Sequence, residues 1–430
     1  MIYSSAVEYL YGLQKHGIKL GLAGIRTILS RLDHPERRYW SIHIAGTNGK
    51  GSTAAMAASM LMAADYRVGL YTSPHLVDFR ERMRVDGAMI PERLVADLVA
   101  RIKGVMGTDP PLTFFEFTTA LAFQYFADAQ VDVAVVEVGM GGRFDATNVV
   151  EPVATAVTTI SMDHEDYLGH TIEQIAFEKA GIIKPGIPVI SGRLNAEAAD
   201  IIQEAAKRQA APFHRLGSGF DVQGETAAFD YSGLGTSHHG LSCPLLGRHQ
   251  LDNAACAIAL VQVAERSGLR VPAAAIRNGL GSTQWEGRLE VVDRNPTVVL
   301  DGAHNPEAAG VLAAFLADFR ASHPGSRVAL VLGMMRDKAH RAFLQTLLPS
   351  IDELIVTQAA IPRAASVLEL RESLVDLMPS MQMAANPGDA LSLARRFVRP
   401  VDLICVAGSL MLVGDLKALL RGWTLSPVRG

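Results

Sequence analysis

The sequence is poor in cysteine, has no long apolar run and carries no excess of charge of either sign. Its three cysteines, Cys243, Cys256 and Cys405, show no CxxC spacing, which argues against a disulfide framework. No apolar run approaches the roughly 18 residues that span a bilayer, and residues 1–17 lack the basic start and unbroken apolar core of a signal peptide. We therefore expect a cytoplasmic protein.

The charge balance limits the kind of partner that the chain can attract. There are 40 basic and 44 acidic residues and a net charge of −4, so no overall basic field gathers nucleic acid or an anionic membrane. Ligands must be held by local sites, and we expect small-molecule partners and a monomer. A length of 430 residues predicts two or three domains.

Residues 41–53 predict a phosphate-binding loop. An apolar strand ends at Ala45, and an Ala/Met-rich helix continues to Ala64. Between them lie glycines at 46, 49 and 51, which let the backbone adopt positive φ and approach an anion closely. The helix N-terminus adds roughly half a positive charge. Strand, loop and helix therefore come in the order that nucleotide binding requires.

The side chains of this loop suit a nucleoside triphosphate. Lys50 is placed to reach the β and γ phosphates, and Ser52 or Thr53 can offer a hydroxyl to Mg²⁺. The spacing departs from the usual pattern, because Gly46 lies only four residues before Lys50 and Gly51 precedes the hydroxyl residue. A glycine-rich turn without ligand is the alternative.

Polar residues follow several apolar segments that predict strands. They are Ser73 after 68–72, Glu137 near the end of 131–138, and Asp163 and His164 after 154–160. The carboxyl ends of parallel strands form the ligand edge of an open α/β sheet. A strand-end carboxylate is costly to bury unpaired, and Mg²⁺ is its natural partner in a nucleotide site. Taken singly, Ser73 fits a turn cap better than a ligand site, and His164 fits a loop histidine as well as a metal ligand.

Two further groups have alternative interpretations. Arg80, Arg82 and Arg84 are either a solvated face or contacts for an anionic substrate. The predicted helix 113–129 begins with Phe114 and Phe115, which are core residues by pattern or line a flat aromatic pocket.

The C-terminal third predicts a second α/β domain. After a composition change at 281–287, strands and helices alternate to the end of the chain, which is typical of an open, mostly parallel sheet. Asp301 follows one of these strands, and Pro306 is placed at a helix start. We predict an ATP-binding domain over 1–282, a linker over 283–287 and a C-terminal domain over 288–430.

Taken together, these motifs resemble the folylpolyglutamate synthase family, including bifunctional dihydrofolate synthases, within the Mur ligase superfamily. The resemblance spans nearly the full length and rests on segments in the same order: 46–52, 72–75, 142–148, 163–164, 178–182, 247–250, 301–306 and 408–409. It implies an N-terminal P-loop Mur ligase domain and a smaller, Rossmann-like C-terminal α/β domain that binds glutamate and nucleotide.

The resemblance also implies roles for individual residues, with ATP in a cleft between the domains. ATP contacts are implied for Gly46, Thr47, Asn48, Gly49, Lys50, Gly51, Ser52, Asn253, Arg288 and Asp301. One Mg²⁺ would be bound by Ser73 and Glu137, and a second with help from His164. Lys179, in isolation an ordinary surface lysine, would be carbamylated by CO₂ and so become an anionic ligand or bridge. The catalytic residues would be Lys50, His164, Lys179 and His304.

The implied pteroate or folate pocket contains Arg82, Phe114, Arg143, Phe144 and Asp145. Phe144 stands where the family has leucine, which affects the exact substrate preference. A second departure is the segment 407–411, which lacks the aromatic residue that the family often has after Leu410.

The implied reaction is amide formation through an acyl phosphate, with L-glutamate as the amine. We expect a bifunctional enzyme that accepts dihydropteroate and the γ-carboxylate of folates. A monofunctional folylpolyglutamate synthase and a Mur-type cell-wall ligase are the alternatives. A regulatory nucleotide-binding module and a kinase fit less well, and no residue stands out as the base for the amine.

Overall fold

The structure is a computed structural model that describes residues 1–17, 19, 21–107 and 111–426. The chain divides into two compact units. The first comprises Met1–Ser73, Phe79–Pro244 and His249–Gln284, and the second Pro74–Asp78, Leu245–Arg248 and the chain from Trp285 onward. None of the described helices combines the length and apolar character that a bilayer crossing requires.

In the described part of the first unit, the strands form an eight-stranded sheet and a three-stranded sheet. The strands are β1 Trp40–Ala45, β2 Val68–Tyr71, β3 Met83–Val85, β4 Ala88–Met89, β5 Val133–Glu137, β6 Ala154–Val157, β7 Val189–Ser191, β8 Phe213–Arg215, β9 Phe220–Glu225, β10 Ala228–Gly233 and β11 Thr236–Leu241. The large sheet has the order β4-β3-β2-β5-β1-β6-β7-β8. The strands from β2 to β8 in this order are parallel, and β3 and β4 add an antiparallel edge.

The helices of the first unit cover this sheet. They are α1 Tyr3–Gly12, α2 Ala23–Arg31, α3 Lys50–Ala63, α4 Glu92–Met106, α5 Phe114–Asp128, α6 Glu165–Leu168, α7 Ile172–Ala180, α8 Ala196–Arg208, α9 His249–Ala264 and α10 Ala273–Ser282. Helix α3 is buried from Gly51 to Leu61, because its small side chains allow close packing. A side chain at Gly279 of α10 would collide with the backbone of Met60, and the Ser59 hydroxyl donates to the Gly279 carbonyl over 2.7 Å.

The second unit has, within the described residues, a six-stranded sheet. Its elements are β12 Glu290–Arg294, β13 Thr297–Leu300, α11 Pro306–Ser322, β14 Val328–Leu332, α12 His340–Leu347, β15 Glu353–Val356, α13 Val367–Leu374, β16 Gln382–Met383, α14 Pro387–Phe397, β17 Leu403–Ala407 and α15 Leu410–Arg421. The order is β12-β13-β17-β14-β15-β16, with β12 antiparallel and the other strands parallel.

Both predicted α/β sheets are confirmed, as are the strand–loop–helix unit at 41–63 and the start of a helix at Pro306. The glycine- and serine-rich stretch before Ser242, which the sequence predicts as irregular and β-like, forms the regular antiparallel sheet β9 to β11. Helix α4 was not predicted. One expectation about the phosphate loop is corrected. Gly51, expected to have positive φ, lies in the first turn of α3, and only Gly46 and Gly49 of the loop glycines have positive φ, at 151° and 84°.

Candidate active site

The loop between β1 and α3 is hydrogen-bonded to the segment that follows β6. The segment after β6 bonds to it through the Thr47 N–H, which donates to the Thr159 carbonyl over 2.8 Å, and the Asn48 N–H, which donates to the Thr159 hydroxyl over 3.0 Å. The two positive-φ glycines are packed against other residues, because a Cβ at Gly46 would collide with Thr158 and one at Gly49 with Asn253. Only glycine fits both backbone and space.

Lys50 lies over this loop. Its ammonium donates to the carbonyls of Gly46 and Thr47 over 3.1 and 3.0 Å, so the charge sits beside the loop and the N-terminus of α3. Of the two hydroxyls considered for the metal, the buried Thr53 hydroxyl has no hydrogen-bond partner among the described residues. Ser52 is buried next to it.

Lys179 is not a surface residue, contrary to its reading in isolation. It lies near the C-terminal end of α7 with a relative exposure of 3%. Its ammonium donates to the Gly46 carbonyl over 2.9 Å. The structure thus brings Lys179 to the first residue of the phosphate loop, 133 residues away in sequence.

Glu137 and Ser73 meet at the same sheet edge. Glu137 ends β5 and pairs in register with Ile44, one residue before the end of β1. Its buried carboxylate accepts a hydrogen bond from the Ser73 N–H over 3.0 Å. His75, two residues after Ser73, is buried and groups with the second unit.

His164 follows β6 at this edge and has positive φ, 53°, at the start of α6. Its side chain is 38% exposed, and its Nε2 lies 4.0 Å from an Asp163 carboxylate oxygen. Within the described residues, no group of three or more His, Cys, Asp or Glu side chains is arranged to hold a metal. The geometry brings Ser73 to Glu137 and Lys179 to Gly46.

The residues after β5 that the resemblance assigns to the pteroate or folate pocket lie in a loop held by an ion pair and hydrogen bonds. The Arg143 guanidinium pairs with Glu178 at 2.6 Å and lies over the rings of Phe144 and Phe177, at 4.3 and 4.8 Å. Asp145 is buried and accepts hydrogen bonds from the N–H groups of Met140 and Thr147 and from the Thr147 hydroxyl. Burial raises the pKa of Asp145, although these hydrogen bonds oppose the shift.

Asp145 is linked through the Thr147 hydroxyl to His43, a residue that sequence reasoning missed. The Nε2 of His43, on β1, lies 2.8 Å from the Thr147 hydroxyl. Burial, with a smaller contribution from the charge of Lys184, lowers the pKa of His43 to about 3, so its ring is neutral near pH 7. The sequence signal that could have found His43 is a histidine between two isoleucines of β1.

Phe114 is half-buried and belongs to an aromatic cluster. It stacks on Tyr11 with ring centroids 5.3 Å apart, and the buried Arg82 guanidinium lies 5.2 Å from its ring. The neighbouring Phe115 packs directly against Gly139, where a Cβ would collide with its ring. Phe115 therefore contacts the chain two residues after Glu137, which ends β5. The sequence had placed it with Phe114 at the start of the predicted helix.

Of the predicted residues of the second unit, Asp301 and His304 follow β13 and Arg288 precedes β12. The two oxygens of Asp301 accept from the N–H groups of Leu289 and Ala303, each over 2.8 Å. Arg288 donates to the Gly287 carbonyl over 3.0 Å, and His304 Nδ1 donates to the Gly302 carbonyl over 2.8 Å. Asn253 belongs to the first unit, on α9, where its amide donates to Gln250 over 2.9 Å.

Comparison with known proteins finds a matching family model for each of the two units. The family model of the Mur ligase middle domain matches residues 44–261, and that of the Mur ligase glutamate ligase domain matches residues 287–410. The dihydrofolate synthase/folylpolyglutamate synthase of Bacillus subtilis is 35% identical over 431 residues, which cover 97% of this chain and 99% of the relative.

Solved structures of similar proteins match nearly the full length of this chain. Escherichia coli FolC in complex with DHPP and ADP has a TM-score of 0.90 and 34% identity, with 98% of each chain covered. The bifunctional folylpolyglutamate synthase/dihydrofolate synthase of Yersinia pestis, complexed with AMPPNP and Mn ion, has a TM-score of 0.88 and 34% identity, again with 98% of each chain covered.

Proposed function

The chain belongs to the Mur ligase family, among the dihydrofolate synthases and folylpolyglutamate synthases, and from this premise we propose its reaction. It is an ATP-dependent ligase that adds L-glutamate to dihydropteroate and to the γ-carboxylate of folates. The observation that carries the proposal is the phosphate loop, with Lys50 over it, Lys179 bonded to Gly46, and the Glu137 carboxylate at the adjacent strand end.

The reaction has two steps. An oxygen of the acceptor carboxylate attacks the γ phosphorus of ATP, the bond to the β,γ-bridging oxygen breaks, and ADP leaves. The amine of glutamate then attacks the acyl carbon, and phosphate leaves with the carboxylate oxygen as the amine loses a proton. Both steps concentrate negative charge at the loop, where Lys50 and the N–H groups at the start of α3 stabilise it.

The donor set fits Mg²⁺. This ion takes one or two protein carboxylates and completes its shell with water and phosphate oxygens, which agrees with a single strand-end carboxylate, Glu137, beside Ser73. We assign Ser73 and Glu137 to one ion and His164 to a second. When bound, Mg²⁺ would neutralise charge on the transferring phosphate.

We retain carbamylation of Lys179 as part of the proposal. A buried ammonium beside the phosphate loop would add positive charge, whereas a carbamate would supply oxygen ligands to a metal. The side chain already reaches the Gly46 carbonyl, so a carbamate on its Nζ would lie at the loop itself. Density for three additional atoms on Nζ in a crystal grown with bicarbonate is the test.

The acceptor pocket is assigned to Arg82, Phe114, Arg143, Phe144 and Asp145, and we add Phe115. We assign to His304 the electrostatic stabilisation of the transition state. Arg288, Asp301 and Asn253 are assigned as nucleotide contacts. We assign ATP binding to 1–282 and glutamate and nucleotide binding to 288–430, joined by 283–287. The monomeric state and the cytoplasmic location remain predictions.

The test is ligation with the purified chain. Mg·ATP, L-glutamate and either dihydropteroate or tetrahydrofolate are supplied, and the products are identified by mass spectrometry. Glutamylated product from both acceptors is expected. Product from tetrahydrofolate alone would restrict the enzyme to polyglutamylation. Product from neither, with activity on a UDP-muramoyl acceptor, would favour a cell-wall ligase instead.

A further inference from the structure

The guanidinium of Arg143, which is assigned above to the acceptor pocket, is oriented by two side chains of α7. Its Nε and Nη2 donate to the two carboxylate oxygens of Glu178, over 3.3 and 2.6 Å. The ring of Phe177 also lies against it, with its centroid 4.8 Å from the Arg143 Cζ. Glu178 and Phe177 are neighbours on α7, and neither has a role in the site assigned above.

The loop that carries Arg143 is attached to α7 by contacts other than this ion pair. The Arg143 N–H donates to the Glu178 carbonyl over 2.8 Å. The Asn148 amide donates to the carbonyls of Arg143 and Gly181, each over 3.0 Å, and a Cβ at Gly181 would collide with the Arg143 side chain. Since a partly exposed ion pair adds little to stability, the Glu178 carboxylate acts mainly on the direction of the guanidinium.

The pairing with Glu178 leaves donors of Arg143 available to a ligand. Among the described residues, none accepts a hydrogen bond from its Nη1, and the side chain is 41% exposed. A guanidinium with unused N–H groups is suited to bind a carboxylate. Under the proposed function the acceptor supplies one, which is the only anionic group of dihydropteroate.

The position of Glu178 on α7 also agrees with a carboxylate that must react with ATP. The next residue, Lys179, donates from its ammonium group to the Gly46 carbonyl of the phosphate loop over 2.9 Å. The same turn of α7 therefore contacts both Arg143 and the phosphate loop.

We propose that Glu178 is a positioning residue, which together with the Phe177 ring directs Nη1 of Arg143 toward the carboxylate of the acceptor. The inference rests on the proposed function. An arginine side chain loses much conformational freedom when it is immobilised by a ligand, and Glu178 restricts that freedom before the acceptor binds. The Glu178 carboxylate also repels an anionic acceptor, but it lies on the Nε–Nη2 edge and water screens charges at a partly exposed site. The gain in orientation therefore dominates.

The test is calorimetric binding of dihydropteroate, and of its analogue with a carboxamide in place of the carboxylate, to the full chain with ADP present. Glu178→Gln should weaken dihydropteroate binding about fivefold, because the acceptor must then immobilise the Arg143 side chain itself. The affinities for the carboxamide and for ADP should stay unchanged, whereas a distorted loop would weaken both acceptors equally. Phe177→Ala, at a half-exposed position, should give the same pattern with a smaller loss, and it serves if Glu178→Gln does not fold.

Glu204→Gln is the matched control, because Glu204 pairs with Arg208 over 3.1 Å on the exposed side of α8; it should leave all three affinities unchanged. In an Arg143→Gln chain, Glu178→Gln should cause no further loss, since it acts through Arg143. The inference alone is overturned if Glu178→Gln leaves dihydropteroate binding unchanged, weakens the carboxamide equally, or adds its full effect to that of Arg143→Gln. Failure of the original chain to bind dihydropteroate would overturn the proposed function as well.

Discussion

Lys50 is the residue on which the proposed phosphate chemistry depends most. It bonds to the loop carbonyls of Gly46 and Thr47, and in the proposed reaction it turns toward the phosphates. Lys50→Ala removes this charge, and we expect glutamate-dependent phosphate release to fall about a hundredfold or more. The control is Lys207→Ala on the exposed face of α8. Equal rates for the two variants would remove Lys50 from the mechanism.

His43 makes the stability of the first unit depend on pH. Its pKa is about 3 in the folded chain and about 6.5 when unfolded, so the folded state binds fewer protons between these values. The stabilisation is complete above pH 6.5 and is lost as pH falls toward 3, by up to about 1.4 kcal/mol per pH unit.

The check compares the original chain with His43→Gln. Urea-unfolding midpoints are measured between pH 7 and pH 5. The original chain should lose more stability over this range than the variant, because the other titrating groups are common to both. Parallel pH profiles would show that His43 does not titrate as its burial requires.

At the residue scale, the sequence alone predicted the position of some residues in the fold. Glu137 was predicted near the end of a strand, and it ends β5. Lys179 was read in isolation as a surface residue, because its helix is short and its partner, Gly46, lies 133 residues away. No local pattern encodes that contact. Asp145 likewise depends on His43 through Thr147, which only the folded sheet brings together.

At the element scale, the phosphate loop makes a specific demand on Gly49. This residue has φ 84°, and a Cβ there would collide with Asn253. Gly49→Ala should therefore disrupt the loop and weaken ADP binding at least tenfold, beyond the roughly 1 kcal/mol cost of positive φ for alanine.

Gly235 provides the control for backbone strain alone. It has φ 83° in the turn between β10 and β11, with open space around it. Gly235→Ala should cost a similar amount of backbone strain and leave ADP affinity unchanged by calorimetry. If both variants bind ADP equally well, the close packing of Gly49 is not needed for nucleotide binding.

The elements that sequence predicted have strong local signals. The strand before the phosphate loop is an apolar run, and the helix at Pro306 begins with proline after a capping asparagine. The β9 to β11 sheet was not predicted as regular, because its strands are largely exposed. Its apolar alternation is short and is limited to Phe220 and Val222 of β9 and to Phe229 and Tyr231 of β10. Helix α4 does have an apolar stripe, which includes Val95, Leu98, Val99 and Ile102. This spacing predicts an amphipathic helix, so the sequence does encode α4.

At the scale of the whole molecule, the second unit contains a buried ion cluster. Lys417 is 1% exposed and lies 2.6 Å from Glu290 and 2.9 Å from Glu286. Lys417→Met leaves two carboxylates without their central cation, and we expect a loss of about 3 kcal/mol. Hydrogen exchange should increase in peptides of the second unit.

Arg421 is the matched comparison, since it contacts the same two carboxylates at 3.3 and 3.5 Å but is 41% exposed. Arg421→Ala should cost about 1 kcal/mol or less. Equal losses for the two variants would mean that burial of Lys417 contributes nothing to stability.

Fold class at this scale followed from the alternation of strands and helices and from the resemblance. The sequence did not predict that 74–78 and 245–248 group with the second unit. Short segments of this kind carry no periodicity, and their place is decided by packing, such as that of Leu76 and Val77 in the core with β13, β14 and β17.

The central claim is ligation through an acyl phosphate, and transfer of ¹⁸O tests it most directly. Dihydropteroate labelled in its carboxylate oxygens is incubated with the chain, Mg·ATP and L-glutamate, and the released phosphate is analysed by mass spectrometry. The account predicts one ¹⁸O atom in each phosphate released with product, because the carboxylate oxygen that attacks phosphorus leaves with it. Amide product accompanied by unlabelled phosphate would contradict the acyl-phosphate mechanism.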